Sequence, residues 1–433
     1  LMANTYISRS ISASPTNPDK FTISMWVKRC KLGAEQSLMG QYASSNFRGK
    51  LSFLSDDRIE YIQKNDGNTT ANLITTRKFG DTFGYYHLLV QFDTSQGTDS
   101  NRIKIYINGT QETAFDTSSY PAQNLDMRLN QASGTLCIGQ DGNGGNYCDL
   151  ILSHVHLVDG ATEAPTVFGE TDNTTGEWKI KPSPTISEYG DDGFFVLKDG
   201  NSLTDQSGKG NNFTLGGGTL TKTEDCPSNV FCTMNPLDKS SSLSLSYGNN
   251  RTASPSNSWM PCKATLGMVG QNGKFYWEGK CESGTNHYFG VYDASGTIRG
   301  SSQSDMDGAR FVYTYAGSIE RTITGQSGIG SGTYATFVNN DYIGVALDKE
   351  NGTITFYKNG TQIYTETHSS LQTKDLIPGT QAYGSDIQWN FGNGAFGNTQ
   401  LTGTTYQGDG NLGIFKYQPP SGYTALCTKG LNL

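Results

Sequence analysis

The stretch from Asp341 to Glu366, DYIGVALDKENGTITFYKNGTQIYTE, decides the fold class. Tyr342 to Asp348 is rich in strand formers, Asn351-Gly352 marks a turn, and Thr353 to Lys358 alternates as a strand. Asn359-Gly360 turns the chain again before Thr361 to Glu366, so a three-stranded meander is expected. Two-residue hairpin loops need positive φ at both central positions, which Asn and Gly tolerate; the second turn is therefore the firmer, and the first, with Lys349 and Glu350 ahead of it, is looser. The same device stands 251 positions upstream, where KIYINGTQE at Lys104 to Glu112 matches TFYKNGTQI at Thr355 to Ile363. One chain is thus expected to build two similar sandwiches.

The bulk composition agrees. At 433 residues the chain is longer than one core usually serves, and 53 glycines, 23 tyrosines and 20 phenylalanines with only 17% charged residues suit short strands joined by tight turns. An all-β protein is expected. A net charge of −8 without any basic run argues against a sequence-independent nucleic-acid binder, which needs clustered Lys and Arg. No apolar run approaches the roughly 18 to 20 residues of a membrane span, and LMANTYISRS has no apolar core of a secretory signal. The eight cysteines (Cys30, Cys137, Cys148, Cys226, Cys232, Cys262, Cys281, Cys427) show no Cys-x-x-Cys pair and read as small buried thiols; Cys226 and Cys232 can close a loop in an oxidising medium. Seven Asn-x-Ser/Thr triplets are expected by chance in a chain this rich in Asn, Thr and Gly.

Along the chain, Thr22 to Arg29 (TISMWVKR) puts Ile23, Met25 and Val27 on one face and Trp26 on the other. Short strands are expected at Lys50 to Leu54, Ile59 to Gln63, Ala71 to Thr75, Tyr85 to Phe92 and Arg102 to Ile107. From about Glu170 to Phe231 the composition shifts to Gly, Asp, Asn and Ser, broken by Phe194 to Leu197 and Phe213 to Leu215; these aromatics point to a docked connector rather than a free linker. No heptad, collagen-like or shaft repeat is present.

TISMWVKR, YYHLLVQFD and IKIYINGTQE together resemble the laminin G or concanavalin A-like jelly roll. SHVHLVDGATEAPTVFGETDNTTGEWKIK, Ser153 to Lys181, resembles a segment that ends such a jelly roll in virion fibre and tail proteins of bacteriophages, marine ones especially, although Lys179, Ile180 and Lys181 follow Trp178 without the usual Pro. NVFCTMNPLDK at Asn229 to Lys239 and the tail Ile414 to Leu433 match the same pattern. GKFYWEGKCE at Gly273 to Glu282, YIGVALDKENGTITFYKNGTQI at Tyr342 to Ile363 and IQWNFGNGAF at Ile387 to Phe396 resemble a SPRY domain. The resemblance implies two antiparallel jelly-roll-type β-sandwiches: a laminin G/concanavalin A-like one over residues 1–168, a docked connector over 169–233, a SPRY-like one over 234–398 and a tail over 399–433.

The resemblance further implies a non-enzymatic virion surface protein, a tail-fibre or capsid-fibre head made in the host cytoplasm, that binds a host cell-surface glycan or protein. Its expected partners are other virion proteins and the host surface, without nucleic acid or membrane insertion, and a homo-oligomer, a trimer by analogy. A purely structural decoration protein and a polysaccharide depolymerase are the alternatives.

No catalytic residue is nominated. Glu278 and Glu282 share a strand face, but positions i and i+4 stand about 13 Å apart at about 3.3 Å per residue, beyond the roughly 5 to 9.5 Å separations of glycosidase carboxylates. His154 and His156, with Asp149 nearby, can face one metal but lack a third ligand in the sequence; His87, His287 and His368 nominate nothing. Calcium is a secondary reading for Asp141, Asn143, Asn146 and Asp149 in QDGNGGNYCD, and for Asp305 and Asp307; otherwise no cofactor is expected. Gly216 to Gly218 and Gly325 to Gly332 lack the Gly-Lys-Ser/Thr ending of a phosphate loop and read as flexible loops. Sugar binding needs aromatic faces beside amides and charges, which nominates Tyr147 with Asn143 and Asn146, and Tyr313 and Tyr315 with Arg310.

Overall fold

A computed structural model describes residues 4–11, 13–198, 202–255, 258–270, 272–284, 286–296, 309–314, 318–322 and 334–433. The chain forms two compact units, Leu1–Leu220 and Thr221–Leu433, each built of antiparallel sheets around its own core.

In the first unit an eight-stranded sheet runs in the order Phe115–Ser119, Asn68–Lys78, Arg58–Asn65, Phe47–Phe53, Gln36–Ser44, Thr135–Ile138, Tyr6–Ser10, Thr214–Gly217. A six-stranded sheet runs Phe194–Val196, Leu150–Asp159, Lys20–Arg29, Tyr86–Asp93, Ile103–Ile107, Thr110–Gln111. The alternation expected of TISMWVKR holds: Ile23, Met25 and Val27 enter a core with Leu51, Tyr61, Leu73, Leu88 and Val90, while Trp26 leaves by the other face and stacks on His87.

Pieces of the Gly-rich stretch belong to these sheets. Phe194–Val196 extends the smaller sheet along Val155–Leu157, and Thr214–Gly217 pairs with Tyr6–Ser8. The expectation of a flexible loop at Gly216 to Gly218 is therefore corrected. Gly216 lies in a strand crossed by the Tyr6 ring, and a Cβ there would come within 2.1 Å of that ring, so the position needs glycine for space. The tract at 325–332 lies outside the described residues.

The second unit pairs a six-stranded sheet, Met234–Lys239, Met260–Ala264, Leu376–Ala382, His287–Asp293, Ala309–Tyr313, Ser318–Thr322, with an eight-stranded one. The latter runs Ser244–Ser246, Arg251–Ala253, Asp386–Asn390, Lys274–Ser283, Tyr342–Asp348, Thr353–Lys358, Thr361–Thr367, with Thr424–Ala425 parallel to Phe275–Tyr276. The meander of Asp341 to Glu366 is thus three consecutive strands of this sheet. Phe275, Trp277 and Cys281 enter the core with Ile343, Val345, Leu347, Ile387 and Trp389, which sends Tyr276, Glu278, Lys280 and Glu282 to the outer face.

Both Asn-Gly hairpins have the expected backbone: φ is 50° and 79° at Asn108 and Gly109, and 49° and 80° at Asn359 and Gly360. In each, the asparagine grips the neighbouring strand twice. Asn108 N–H donates to the His87 carbonyl at 2.9 Å and its Oδ1 accepts from His87 N–H at 2.8 Å. Asn359 makes the same two bonds with Tyr342, at 2.9 and 2.8 Å.

A downstream strap, around Trp178–Ile180 in the first unit and residues 414–417 in the second, then crosses the outer face of the sheet and lays a ring on the hairpin glycine. Trp178 stands within 2.5 Å of where a Cβ on Gly109 would be, and Tyr417 within 2.5 Å of one on Gly360.

Candidate functional site

In the first unit the loop 139–149 joins Thr135–Ile138 to Leu150–Asp159 and folds onto the outer face of the larger sheet. Gly40 permits this, since a Cβ there would meet the Asp141 carbonyl carbon at 2.5 Å. Asp141 organises the loop: its Oδ1 accepts from Asn143 N–H at 2.9 Å and Gly145 N–H at 3.0 Å, and its Oδ2 accepts from Asn146 Nδ2 at 3.3 Å. Asn146 also donates to Glu35, which pairs with Lys50, and Lys50 lies 3.6 Å from Glu60. Burial raises the Glu60 carboxyl above its ordinary range, opposed by Lys50.

Tyr147 is half-buried with its ring 5.9 Å from that of Tyr6, and Asn143 is exposed. Tyr147, Asn143 and Asn146 therefore do sit in one loop, as amides beside an aromatic. No group of three His, Cys, Asp or Glu side chains is placed to hold a metal among the described residues. The Asp141 oxygens already accept from the loop's own donors.

His87, unremarkable in the sequence, is the centre of a stack on the outer face of the smaller sheet. Its ring lies 4.8 Å from Trp26 and 5.9 Å from Trp178. Trp178 Nε1–H donates to Nδ1 at 3.1 Å, which leaves the proton on Nε2 to donate to Ser24 Oγ at 2.9 Å. Burial pushes its pKa down to about 3, so it is neutral. His154 and His156 lie 6.5 Å apart beside a bulge, but His156 stacks on Phe195 at 3.9 Å and bonds Tyr189 Oη at 2.9 Å. These two imidazoles pack among aromatic rings, His156 against Phe168, Tyr189 and Phe195.

In the second unit Glu278 lies buried beneath the strap. Its carboxylate accepts from Lys416 N–H at 2.9 Å, Tyr417 N–H at 2.8 Å, Tyr276 Oη at 3.2 Å and Asn390 Nδ2 at 3.2 Å. Burial outweighs these donors and pushes its pKa up to about 7. Glu282, by contrast, is held by Arg251 at 2.5 Å, and Arg251 also reaches Asp386 at 2.8 Å. The two glutamates of WEGKCE thus serve separate structures.

A family model described as the concanavalin A-like lectin/glucanases superfamily matches residues 3–168, and a SPRY domain model matches 274–394. The chain carries a laminin G/concanavalin A-like domain and a SPRY domain. Among solved structures, the SPRY domain of human HERC1 is similar at 18% identity, covering 40% of this chain and 99% of that one with a TM-score of 0.31. The TRIM65 PSpry domain is similar at 16%, covering 36% and 89%, with a TM-score of 0.29. No curated protein matches the chain.

On the SPRY domain the strand Ala309–Tyr313 carries Arg310 opposite Val291 and Tyr313 opposite Tyr288 in register; Tyr315 lies outside the described residues, as do Asp305 and Asp307. A different group comes together on the outer face of the larger SPRY sheet. Lys280 pairs in register with Tyr342 on one side and Gln388 on the other. Tyr342 meets Phe396 edge-on at 5.1 Å and Tyr417 at 5.7 Å, and Lys416 Nζ stands 5.0 Å from its ring centre. The period-two alternation of FYWEGKCE carried a signal for Lys280; nothing local to Lys416 could have placed it there.

Proposed function

We propose that the chain is a non-enzymatic bacteriophage virion surface protein, the head of a tail or capsid fibre, that binds a host cell-surface glycan or protein. The observation that carries this reading is the construction of the two straps. The segments that resemble phage virion proteins, Ser153 to Lys181 and Ile414 to Leu433, are working parts of the two sandwiches. The first supplies Trp178 to the His87 stack, and the second supplies the amides that hold Glu278. Such integration supports reading the resemblance as one of whole domains rather than of stray motifs. A lectin-like and a SPRY domain in one chain suit recognition, and Asn143 is exposed while Tyr147 and Tyr342 are half-buried.

Fluorescently labelled protein incubated with host cells tests the reading. Saturable labelling, and a fall in particle adsorption when unlabelled protein is added first, are expected. No labelling and unchanged adsorption contradict it.

A further inference from the structure

We propose that the SPRY sheet and the strap together form a binding site for an acidic saccharide, a sugar ring bearing a carboxylate, centred on Tyr342. This rests on the glycan-binding reading above and adds to it the place and the ligand class.

Tyr342, Phe396 and Tyr417 form an aromatic group at the edge of the strap, with Lys416 over it and Lys280 beside Tyr342 in register. Both lysines lack a carboxylate within ion-pair distance among the described residues. Other basic side chains of the domain do not: Lys274 pairs with Asp348, Lys358 with Asp341, Lys374 with Asp293, and Arg251 with Glu282. Lys416 instead lies over the rings of Tyr342 and Tyr417, at 5.0 and 5.7 Å, so an arriving carboxylate would be its first anionic partner.

Gln388 lies beside Lys280 in register, but its Oε1 is buried, so the ligand contacts of the site come from the lysines and the rings. Cation and ring face are what a uronic acid needs: the carboxylate goes to the ammonium groups and the apolar face of the sugar goes to the tyrosines. The positive area is small, bounded by Asp341 on one side and by Glu282 and Asp386 on the other. One carboxylate fits there; an extended acidic peptide would meet those acids.

Calorimetric titration of the full chain with tetramers of galacturonate, glucuronate and mannuronate, a neutral galactose tetramer and a tetraglutamate peptide tests the site. At least one uronate is expected to bind more tightly than the neutral tetramer and the peptide, and more weakly as salt rises. The double variant Lys280→Gln/Lys416→Gln is expected to weaken it by about tenfold or more at an unchanged unfolding midpoint, and Tyr342→Ala to do the same while Tyr342→Phe retains binding. Absence of binding by all three uronates overturns the proposal, as do equal binding of the neutral tetramer, tighter binding of the peptide, or indifference to the lysine substitutions. If host cells are still labelled after any of those results, only this site has failed; if labelling is also absent, the surface-protein reading has failed with it.

Discussion

At the finest scale, two residues tie stability to named contacts. Glu278 has its carboxyl raised from 4.5 to about 7 by burial. A carboxyl raised on folding contributes stability that is full below its unfolded pKa and is lost as pH rises through the folded one. Each pH unit between the folded and unfolded pKa corresponds to about 1.4 kcal/mol. The wild-type advantage over Glu278→Gln is therefore expected to shrink by about 3 kcal/mol between about pH 4.5 and 7.5. Denaturant melts of both proteins across that range check it, and a difference independent of pH contradicts it. Gly360 combines φ of +80° with the Tyr417 ring over its Cα, so a side chain is opposed by both conformation and space. Gly360→Val is expected to cost about 3 kcal/mol or more, whereas Gly403→Ala, at φ +78° with nothing within 4 Å, is expected to cost only the backbone strain of about 1 kcal/mol. Equal losses in the two unfolding midpoints would mean that the ring contact contributes nothing.

The straps are the elements on which each sandwich depends. Phe415 is fully buried against Tyr276, Ala346 and Ala425, where the strap seals the outer face of the SPRY sheet. Phe415→Ala is expected to destabilise this domain by about 3 to 5 kcal/mol, read from equilibrium unfolding. A loss under about 1 kcal/mol would show that the strap adds little to the domain. Sequence and structure divide here by range of interaction. The hairpins were legible because Asn108-Gly109 and Asn359-Gly360 carry their turn geometry locally, and TISMWVKR carried its own alternation. The straps were not, because Trp178 meets His87 across 91 positions and Lys416 meets Glu278 across 138, and no local pattern names such a partner. Gln36–Ser44 went unseen because a bulge puts the adjacent Leu38 and Met39 both into the core, which breaks the alternation that marks a strand. Of the binding candidates, the Tyr147 loop was found from composition, since amide, acid and aromatic stand within a few residues of each other. Lys416 reaches Tyr342 only through the fold.

For the whole molecule, two separate cores imply that each unit can fold on its own. Fragments 1–220 and 221–433, produced separately, are each expected to unfold in one cooperative transition, and a fragment without one contradicts the division. The repeated device of hairpin, gripping asparagine and covering aromatic gives the two domains a common way of closing one sheet face. The proposed function requires that the chain stand on the surface of a virus particle. Gold-labelled antibody raised against the chain, applied to intact purified particles and viewed by electron microscopy, tests that directly. Gold at the tail or capsid surface is the expected result; particles free of gold, from which the chain is also absent by protein analysis, would contradict it.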